Sequence, residues 1–230
     1  MKDLLNTMRE SLPRYTIKQP STGKIISFRP FTVKEEKTLI MANQTGSYED
    51  FLNTLSDIID KCFNLEISSK NLPLVDIEYF FLKLRSKSVG EIIEPTITCP
   101  ITQEKIKLNI NLDNIEPVYN TNHSKTIKID SGIAVTMTYP TLENLKEKID
   151  YFELVIDCIQ SIQTQKELIE IGIASRENVK EFVELLTSEQ YKKLIDFFKT
   201  SPKLEYEINY KTSDKKERKI ILKGLKDFFQ

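Results

Sequence analysis

The fold class is decided by a change of hydrophobic period at Lys105-Ile106-Lys107-Leu108-Asn109-Ile110-Asn111-Leu112. Apolar and polar residues alternate strictly in this stretch, which is typical of a half-buried β-strand. The sequence on either side instead repeats its apolar residues every three or four positions, the period of an amphipathic helix. The order of helices, hairpins, helices and a final hairpin predicts an α+β fold rather than a parallel α/β sheet.

Three β-hairpins are predicted from alternation and turn residues. The alternating stretch pairs with residues 91–99, where Pro95 places the partner strand at an edge or a bulge. A second hairpin joins Ile127 and Ile129 to residues 133–139 through a turn at 130–132. The third lies near the C-terminus, with alternating residues 204–210 and a return strand near 218–222.

Helices are predicted on both sides of the two central hairpins. Before them, helices cover residues 33–42, about 51–63 and 74–87, the first behind a capping box of Thr32 and Glu35. After them, apolar residues at heptad spacing predict a helix over 141–159. This spacing favours packing inside a helical bundle, with a coiled coil to a partner helix as the alternative. Two further helices follow, over residues 176–186 and 188–199.

The predicted elements divide the chain into four segments within one or two compact domains. Residues 1–30 form an N-terminal arm with a short β element, and residues 31–90 form a helical unit. Residues 91–140 hold two β-hairpins, and residues 141–230 form a helical segment that ends in a β-hairpin and an apolar tail. A chain of 230 residues is long enough to bury a core of this kind.

The composition predicts a soluble, cytosolic protein without a basic surface excess. The 33 Lys and Arg balance 34 Asp and Glu, which disfavours binding to nucleic acid by phosphate neutralisation. No run approaches the roughly 18 consecutive apolar residues of a membrane span, and the first nine residues lack a signal-peptide pattern. The three widely spaced cysteines predict reduced thiols rather than a disulfide framework.

Catalytic chemistry is not predicted. The single histidine, His123, lies in a polar stretch, and we expect it to be a solvated loop residue. The neighbouring acids Glu35 and Glu36, and Asp76 with Glu78, lie in first helical turns, where acids complement the helix dipole. Neither Gly-rich phosphate-binding pattern occurs among the six glycines, so no nucleotide cofactor is expected.

The cysteines do not predict a metal site. Cys62 and Cys158 lie on apolar helical faces and are expected to be core residues. Cys99 lies in Thr98-Cys99-Pro100-Ile101-Thr102, at the end of a strand that turns tightly into its return strand. This strand–turn–strand pattern is that of a zinc-ribbon knuckle. The second ligand of such a knuckle is missing, because the sequence has no C-x-x-C pair. No metal is therefore expected.

Four further stretches carry a more specific signal, and they occur in order along nearly the whole length of the chain. They are Leu12-Pro13 with Pro20-Ser21-Thr22-Gly23-Lys24 and Phe28-Arg29-Pro30-Phe31-Thr32-Val33-Lys34-Glu35-Glu36-Lys37, residues 76–90, the Cys99-Pro100 knuckle, and Lys223-Gly224-Leu225-Lys226-Asp227-Phe228-Phe229. Together these stretches resemble the baseplate hub assembly protein family of T-even-type contractile-tail bacteriophages. One departure is Thr102, which stands where the family's knuckles often carry a second cysteine, so hairpin packing would replace any metal here.

The resemblance implies a non-enzymatic phage tail protein that assists assembly of the baseplate central hub by protein–protein binding. It would act as an assembly chaperone, which we favour, or as a minor hub component. The alternatives are a structural subunit retained in the mature baseplate and, less favoured, a tail-associated hydrolase. The implied partners are other phage baseplate hub proteins, with no nucleic acid, membrane span or small-molecule substrate. The implied location is the host cytoplasm or the tail baseplate of the virion.

Partner contacts are expected where charged or apolar groups cluster outside the core. The basic end of the third helix either complements the helix dipole or contacts an acidic partner surface. The aromatic tail either docks on the chain's own core or binds a partner. The edge strand near Pro95 is a further candidate surface. The candidate residues are Arg29, Phe31, Lys34, Lys83, Arg85, Lys87, Phe228 and Phe229.

Overall fold

The computed structural model describes residues 1–44, 48–144, 150–172 and 174–224 of the chain. These residues fall into two compact units, one of residues 1–118 with 203–224 and the other of residues 119–202. The first unit is discontinuous in sequence. Its two parts join where Val118 and Lys203 exchange backbone hydrogen bonds of 2.8 and 3.2 Å.

The helices agree closely with the periodicity of the sequence. Four of the predicted helices are confirmed to within two residues at each end, which is the usual uncertainty of a helix boundary. The helix predicted at about 51–63 is found at Tyr48–Cys62. The first helix was not expected, because its nine residues are too few to repeat the three-four period. The described residues form α1 (Lys2–Glu10), α2 (Val33–Gln44), α3 (Tyr48–Cys62), α4 (Leu74–Ser88), α5 (Tyr151–Cys158), α6 (Arg176–Glu184) and α7 (Ser188–Thr200).

The strands pair antiparallel in several small sheets, and the predicted α+β class is confirmed. The three predicted hairpins are present. Two further hairpins among the described residues were not predicted: one between residues 15 and 28, which contains the short β element of the predicted N-terminal arm, and one between residues 159 and 170. The strands are β1 (Tyr15–Lys18), β2 (Ile25–Phe28), β3 (Ile92–Ile93), β4 (Thr96–Thr98), β5 (Lys105–Lys107), β6 (Ile110–Asn111), β7 (Thr126–Lys128), β8 (Ala134–Met137), β9 (Ile159–Gln163), β10 (Leu168–Glu170), β11 (Glu205–Lys211) and β12 (Glu217–Lys223).

Pro95 divides the first central hairpin into two short ladders. One ladder joins β3 to β6 and the other joins β4 to β5. Between them the Leu108 N–H donates to the Pro95 carbonyl at 2.9 Å. Proline has no N–H to return this bond, so the regular ladder is interrupted at the residue where the sequence predicts a bulge or an edge.

The core of the first unit lies between α3, α4 and the β1–β2 hairpin. The rings of Phe28, Phe63 and Phe80 stack in series, with centroid distances of 4.8 and 4.6 Å. Helix α4 buries residues on nearly all its sides, and its Phe80, Leu82 and Leu84 are fully buried. Burying a large apolar side chain contributes about 1.5–3 kcal/mol, so these helices supply much of the unit's stability.

A buried carboxylate fixes the β1–β2 turn on α4. Asp76, in the first turn of α4, is fully buried. Its oxygens accept hydrogen bonds from the Gln19 Nε2 at 2.6 Å and the Ser21 N–H at 2.8 Å, and also from the Ser21 hydroxyl. A buried charge is tolerated only when it is hydrogen-bonded, and the helix N-terminus favours it further. Asp76 therefore has a structural role that joins the turn motif to the central helix.

The second unit is a four-stranded antiparallel sheet, in the order β10-β9-β8-β7, with α5, α6 and α7. Its sequence was predicted to be helical from residue 141 to 159, and that prediction is wrong in part. The described residues show a 3-10 turn at Leu142–Asn144, then α5, and then a strand that begins at Ile159. Sheet formation overrides the helical period because Ile162 pairs with the buried Val135 of β8. Leu145 and Ile149 of the predicted seam lie outside the described residues.

We expect Asp76→Asn to lower the free energy of unfolding by about 2–3 kcal/mol, because the amide's NH2 would face the buried donors of Gln19 and Ser21. Urea denaturation followed by circular dichroism measures the change. Asp57→Asn is the matched control at an exposed position of α3, and it should change stability by less than about 0.5 kcal/mol. Equal stability of the two variants would contradict a structural role for Asp76.

Candidate partner-binding site

Helix α2 has an exposed apolar side, which we call the α2 face and define as Val33, Ile40 and Met41. These side chains are 81%, 52% and 57% exposed. Leu39 and Ala42, on the opposite side of the helix, are buried. Positions seven and eight apart share one side of a helix, so the three exposed residues lie on the same side. The charged residues Glu36 and Lys37 lie between Val33 and the pair Ile40 and Met41 on this side. Ile40 and Met41 are not among the predicted contacts, although their spacing from Val33 places them on the same side of the helix.

Two residues predicted to contact partners lie at the start of this helix. Lys34 is exposed and follows Val33 directly on the first turn of α2. Phe31 is half-buried, and its backbone N–H donates to the Ser88 hydroxyl at 3.0 Å. The structure therefore leaves Lys34 open to solvent beside the α2 face and holds Phe31 against the end of α4. Both residues remain predicted contacts.

Arg29 is bound within its own unit. Its guanidinium donates to both oxygens of Glu35, at 2.8 and 3.0 Å, and to the carbonyl of Lys61 at 3.2 Å. Burial acts to raise the pKa of Glu35, but hydrogen bonds from Arg29 and Thr32 outweigh it and lower the pKa to about 2. The pair is mostly shielded from solvent. Arg29 thus connects the start of α2 to the end of α3, whatever else it contacts.

The lysines at the end of α4 are also bound intramolecularly. The Lys83 Nζ donates to the Asp113 carbonyl at 2.8 Å and to the Glu116 Oε1 at 3.0 Å. The Lys87 Nζ donates to the Asp113 Oδ2 at 2.6 Å and to the Glu91 Oε1 at 2.8 Å. These bonds hold residues 112–116 on α4. The role of Lys83 and Lys87 in partner binding stays a prediction.

The remaining predicted contacts are Arg85 on α4 and the two phenylalanines near the C-terminus. Arg85 is half-buried, and its guanidinium donates to the Gly90 carbonyl at 3.3 Å. Burial lowers the pKa of Arg85. Phe228 and Phe229 lie outside the described residues, which end at Gly224.

His123 is not a solvated loop residue, so that expectation is wrong. Its ring packs against Tyr139 and Phe197, with centroid distances of 5.6 and 5.0 Å. The Nε2 lies 3.0 Å from the Tyr139 Oη, and the Nδ1 lies 3.0 Å from the Thr200 Oγ1. Burial and the nearby Lys125 lower the pKa of His123. These partners come from distant parts of the sequence, which is why the polar local sequence was misleading.

Cys99 lies where two hairpin ends meet in the first unit. Its thiol is fully buried and accepts a hydrogen bond from the Tyr210 hydroxyl at 3.5 Å. Interactions with Thr102 and Tyr210 lower the pKa of Cys99 to about 6. Glu104 also accepts hydrogen bonds from the N–H and hydroxyl of Ser213. The sequence predicts both hairpins but not this junction, because the contacting residues are more than 100 positions apart.

Burial confirms Cys62 and Cys158 as core residues, and it raises the pKa of each thiol to about 12. Across the described ranges, no cluster of three or more His, Cys, Asp or Glu side chains is arranged to hold a metal ion. In the same ranges, no helix combines the length and hydrophobicity needed to cross a membrane.

Comparison with known proteins gives the family. A family model described as "T4 bacteriophage base plate protein" matches residues 12–230. The chain belongs to this family. It is also 25% identical, over 210 residues, to the baseplate hub assembly protein gp26 of Enterobacteria phage T4. That match covers 90% of this chain and 94% of the relative. No solved structure matches the chain.

The match to the base plate family includes the candidate surfaces of the first unit. Strand β1, the α2 face and the lysines of α4 all lie within residues 12–230, whereas α1 precedes the matched region. The two motifs that meet at Asp76, residues 20–24 and 76–90, also lie within it. The region matched by the family model therefore includes both the β1–β2 turn and helix α4, which position these surfaces.

A conservative substitution tests whether Arg29 stabilises the fold. We expect Arg29→Lys to lower the free energy of unfolding by about 1–2 kcal/mol, because an ammonium cannot form two parallel bonds to Glu35. Arg14→Lys, at an exposed position, is the control and should leave stability unchanged within about 0.5 kcal/mol. Chemical denaturation measures both. Unchanged stability in Arg29→Lys would contradict a structural role.

His123 should make stability depend on pH. Its pKa in the folded state lies below that of the unfolded chain, so the unfolded state binds the proton first as pH falls. The free energy of unfolding should therefore decrease as pH falls from about 7 towards 5, below the unfolded pKa of about 6.5. His123→Gln removes this titration and should give a flatter pH dependence. Parallel curves for the two proteins would contradict the prediction.

Proposed function

We propose that this protein assists assembly of the phage baseplate central hub by binding other hub proteins, without an enzymatic reaction. The proposal rests mainly on the match to a baseplate hub assembly protein over 90% of the chain. We favour an assembly chaperone over a minor component of the hub. In this role the protein acts in the host cytoplasm, where tails are assembled, and its partners are the hub proteins.

The α2 face provides a physical basis for partner binding. Val33, Ile40 and Met41 expose apolar surface along one side of a helix that is otherwise anchored by its buried side. Exposed apolar side chains grouped on one side of a helix, with charged residues between them, favour association with another protein. Lys34 lies beside the α2 face and, in this proposal, orients an acidic group of the partner. A helix that presents apolar side chains on one side is a common docking element.

The second candidate is a structural subunit that stays in the mature baseplate. The family description, base plate protein, favours this alternative because it names the structure itself. The two roles differ in what remains after assembly. A retained subunit copurifies with finished tails in a fixed stoichiometry, whereas a chaperone is absent from them. Quantitative mass spectrometry of purified tails separates the two.

The third candidate, a tail-associated hydrolase, has little support from its proposed residues. The Asp76 carboxylate is buried and hydrogen-bonded to Gln19 and Ser21. His123 has both ring nitrogens within hydrogen-bonding distance of hydroxyl groups and packs between aromatic rings. These interactions account for both residues as structural. They favour the non-enzymatic proposal.

Capture from infected cells tests the α2 face. We expect the tagged wild-type chain to recover hub proteins. The double variant Val33→Glu/Met41→Glu should recover an amount of hub protein that is lower by a factor of about ten or more. Each apolar side chain buried in an interface contributes about 1.5–3 kcal/mol, and about 1.4 kcal/mol corresponds to ten-fold in affinity.

The matched control is Leu168→Glu/Leu185→Glu, which changes two leucines of the second unit that are 55% and 78% exposed. It introduces the same charge at similarly exposed positions and should capture hub proteins as the wild type does. Equal recovery by both variants would rule out the α2 face as the binding surface. Recovery of no hub protein by the wild type would refute the proposed function itself.

A further inference from the structure

Strand β1 has one paired edge and one open edge. The Gln19 N–H donates to the Lys24 carbonyl at 2.8 Å, which fixes the hydrogen-bonding phase of the β1–β2 ladder. Because this phase alternates along an antiparallel pair, the N–H and C=O groups of Thr16 and Lys18 face away from β2. In the part of the chain that the structure describes, no other backbone group pairs with them.

The opposite edge of the hairpin is closed. The Ser27 carbonyl of β2 accepts a hydrogen bond from the Asn64 N–H at 2.9 Å, and Phe28 forms a bridge with Phe63. The segment after α3 therefore covers β2. Strand addition to this hairpin can occur only beside β1.

The open edge of β1 lines a groove of about 630 Å³. Five consecutive residues, 14–18, line it, and its other wall is formed by Tyr79 and Lys83 of α4 with Asp113 and Glu116. Side chains of a strand alternate between faces, so a continuous run of residues can line a groove only along the backbone edge. The volume lies within the range of about 300–1,000 Å³ that is typical of binding clefts.

The groove carries a positive charge that is not neutralised. Its lining includes the cations Arg14, Lys18, Lys83 and Lys87 and the carboxylates of Asp113 and Glu116, a net charge of +2. Lys83 and Lys87 are bound to these carboxylates. Arg14 and Lys18 are exposed, and within the described ranges neither forms an ion pair. The free charge therefore lies along β1 itself.

We propose that the open edge of β1 binds an extended acidic segment of a hub protein, which adds to the hairpin as a third strand. This inference rests on the proposed function, because it names the chemistry of the hub partner. The backbone of Thr16 and Lys18 exchanges hydrogen bonds with the segment. Acidic residues at alternate positions of the segment lie opposite Arg14 and Lys18, and the apolar residues between them face Tyr15 and Tyr79.

The same charges disfavour pairing with a second copy of this chain. Two β1 strands that paired antiparallel about Thr16 would place each Arg14 opposite a Lys18 of the other copy. Like charges directly opposite each other destabilise a strand pair, and basic residues are a common protection of edge strands. An acidic segment is therefore selected over self-association.

NMR titration of the full-length chain tests the inference with defined peptides. The first probe is a capped hexapeptide of alternating glutamate and valine. The second is the same peptide with every amide N-methylated, which removes its N–H donors, and the third replaces glutamate by lysine. We expect the first probe to shift the amide signals of Thr16 and Lys18. The affinity of the other two peptides should be lower by a factor of about ten or more.

Charge reversal tests the contribution of β1 side chains. Arg14→Glu/Lys18→Glu should weaken binding of the glutamate–valine peptide by about ten-fold. The matched control is Lys128→Glu/Lys166→Glu, which changes two exposed lysines of the second unit and should bind as the wild type does. Equal binding of the N-methylated peptide, or shifts that avoid Thr16 and Lys18, would overturn strand addition.

The outcome can be separated from that of the proposed function. If the wild-type chain captures hub proteins while no peptide shifts Thr16 or Lys18, this inference fails and the proposed function stands. If the wild-type chain captures no hub protein, both fail. Hub capture that depends on Arg14 and Lys18, together with the peptide shifts, supports both.

Discussion

The buried carboxylate of Asp76 is the constraint on which the first unit depends. It binds Gln19 and Ser21, which form the turn between β1 and β2, and it does so from the first turn of α4. The hairpin is thereby fixed relative to the central helix. The same helix holds residues 112–116 through Lys83 and Lys87. Both walls of the β1 groove are therefore positioned by one helix, and their separation follows from interactions at its two ends.

Much of the fold could be predicted because its elements carry local signals. Helices α3 and α4 repeat their apolar residues over 15 positions each, which is long enough to identify the period. Pro95 predicts an edge or a bulge in the first central hairpin, and the hydrogen-bond ladder of that hairpin divides at this residue. Strand β9 could not be predicted, because its first isoleucine, Ile159, also continues the helical spacing of α5. The choice between helix and strand depends on pairing with β8, which local sequence does not encode.

The candidate site was less predictable, because charge alone does not show whether a side chain is already bound. Arg29, Lys83 and Lys87 were selected as exposed cations, yet each forms ion pairs within its unit. Asp113 and Glu116, which bind Lys87 and Lys83, are 26 and 33 residues away, and only Glu91, the second partner of Lys87, is close in sequence. Conversely, Arg14 and Lys18 have no local feature that marks them. Their significance comes from a strand pairing that leaves one edge of β1 open.

The two proposed surfaces are small, and their size and chemistry agree with the proposal of a partner that is released. The α2 face consists of three apolar side chains, and the β1 edge has four residues. Permanent interfaces bury about 2,000 Å² or more and are strongly apolar, and neither surface alone approaches this extent. Binding through exposed lysine and arginine is also weakened by salt, because the charges are screened over about 10 Å at 0.1 M ionic strength. An assembly factor must dissociate once its partner is incorporated. Contacts of modest area, one apolar and one guided by charge, meet that requirement better than the extended interface of a permanent subunit.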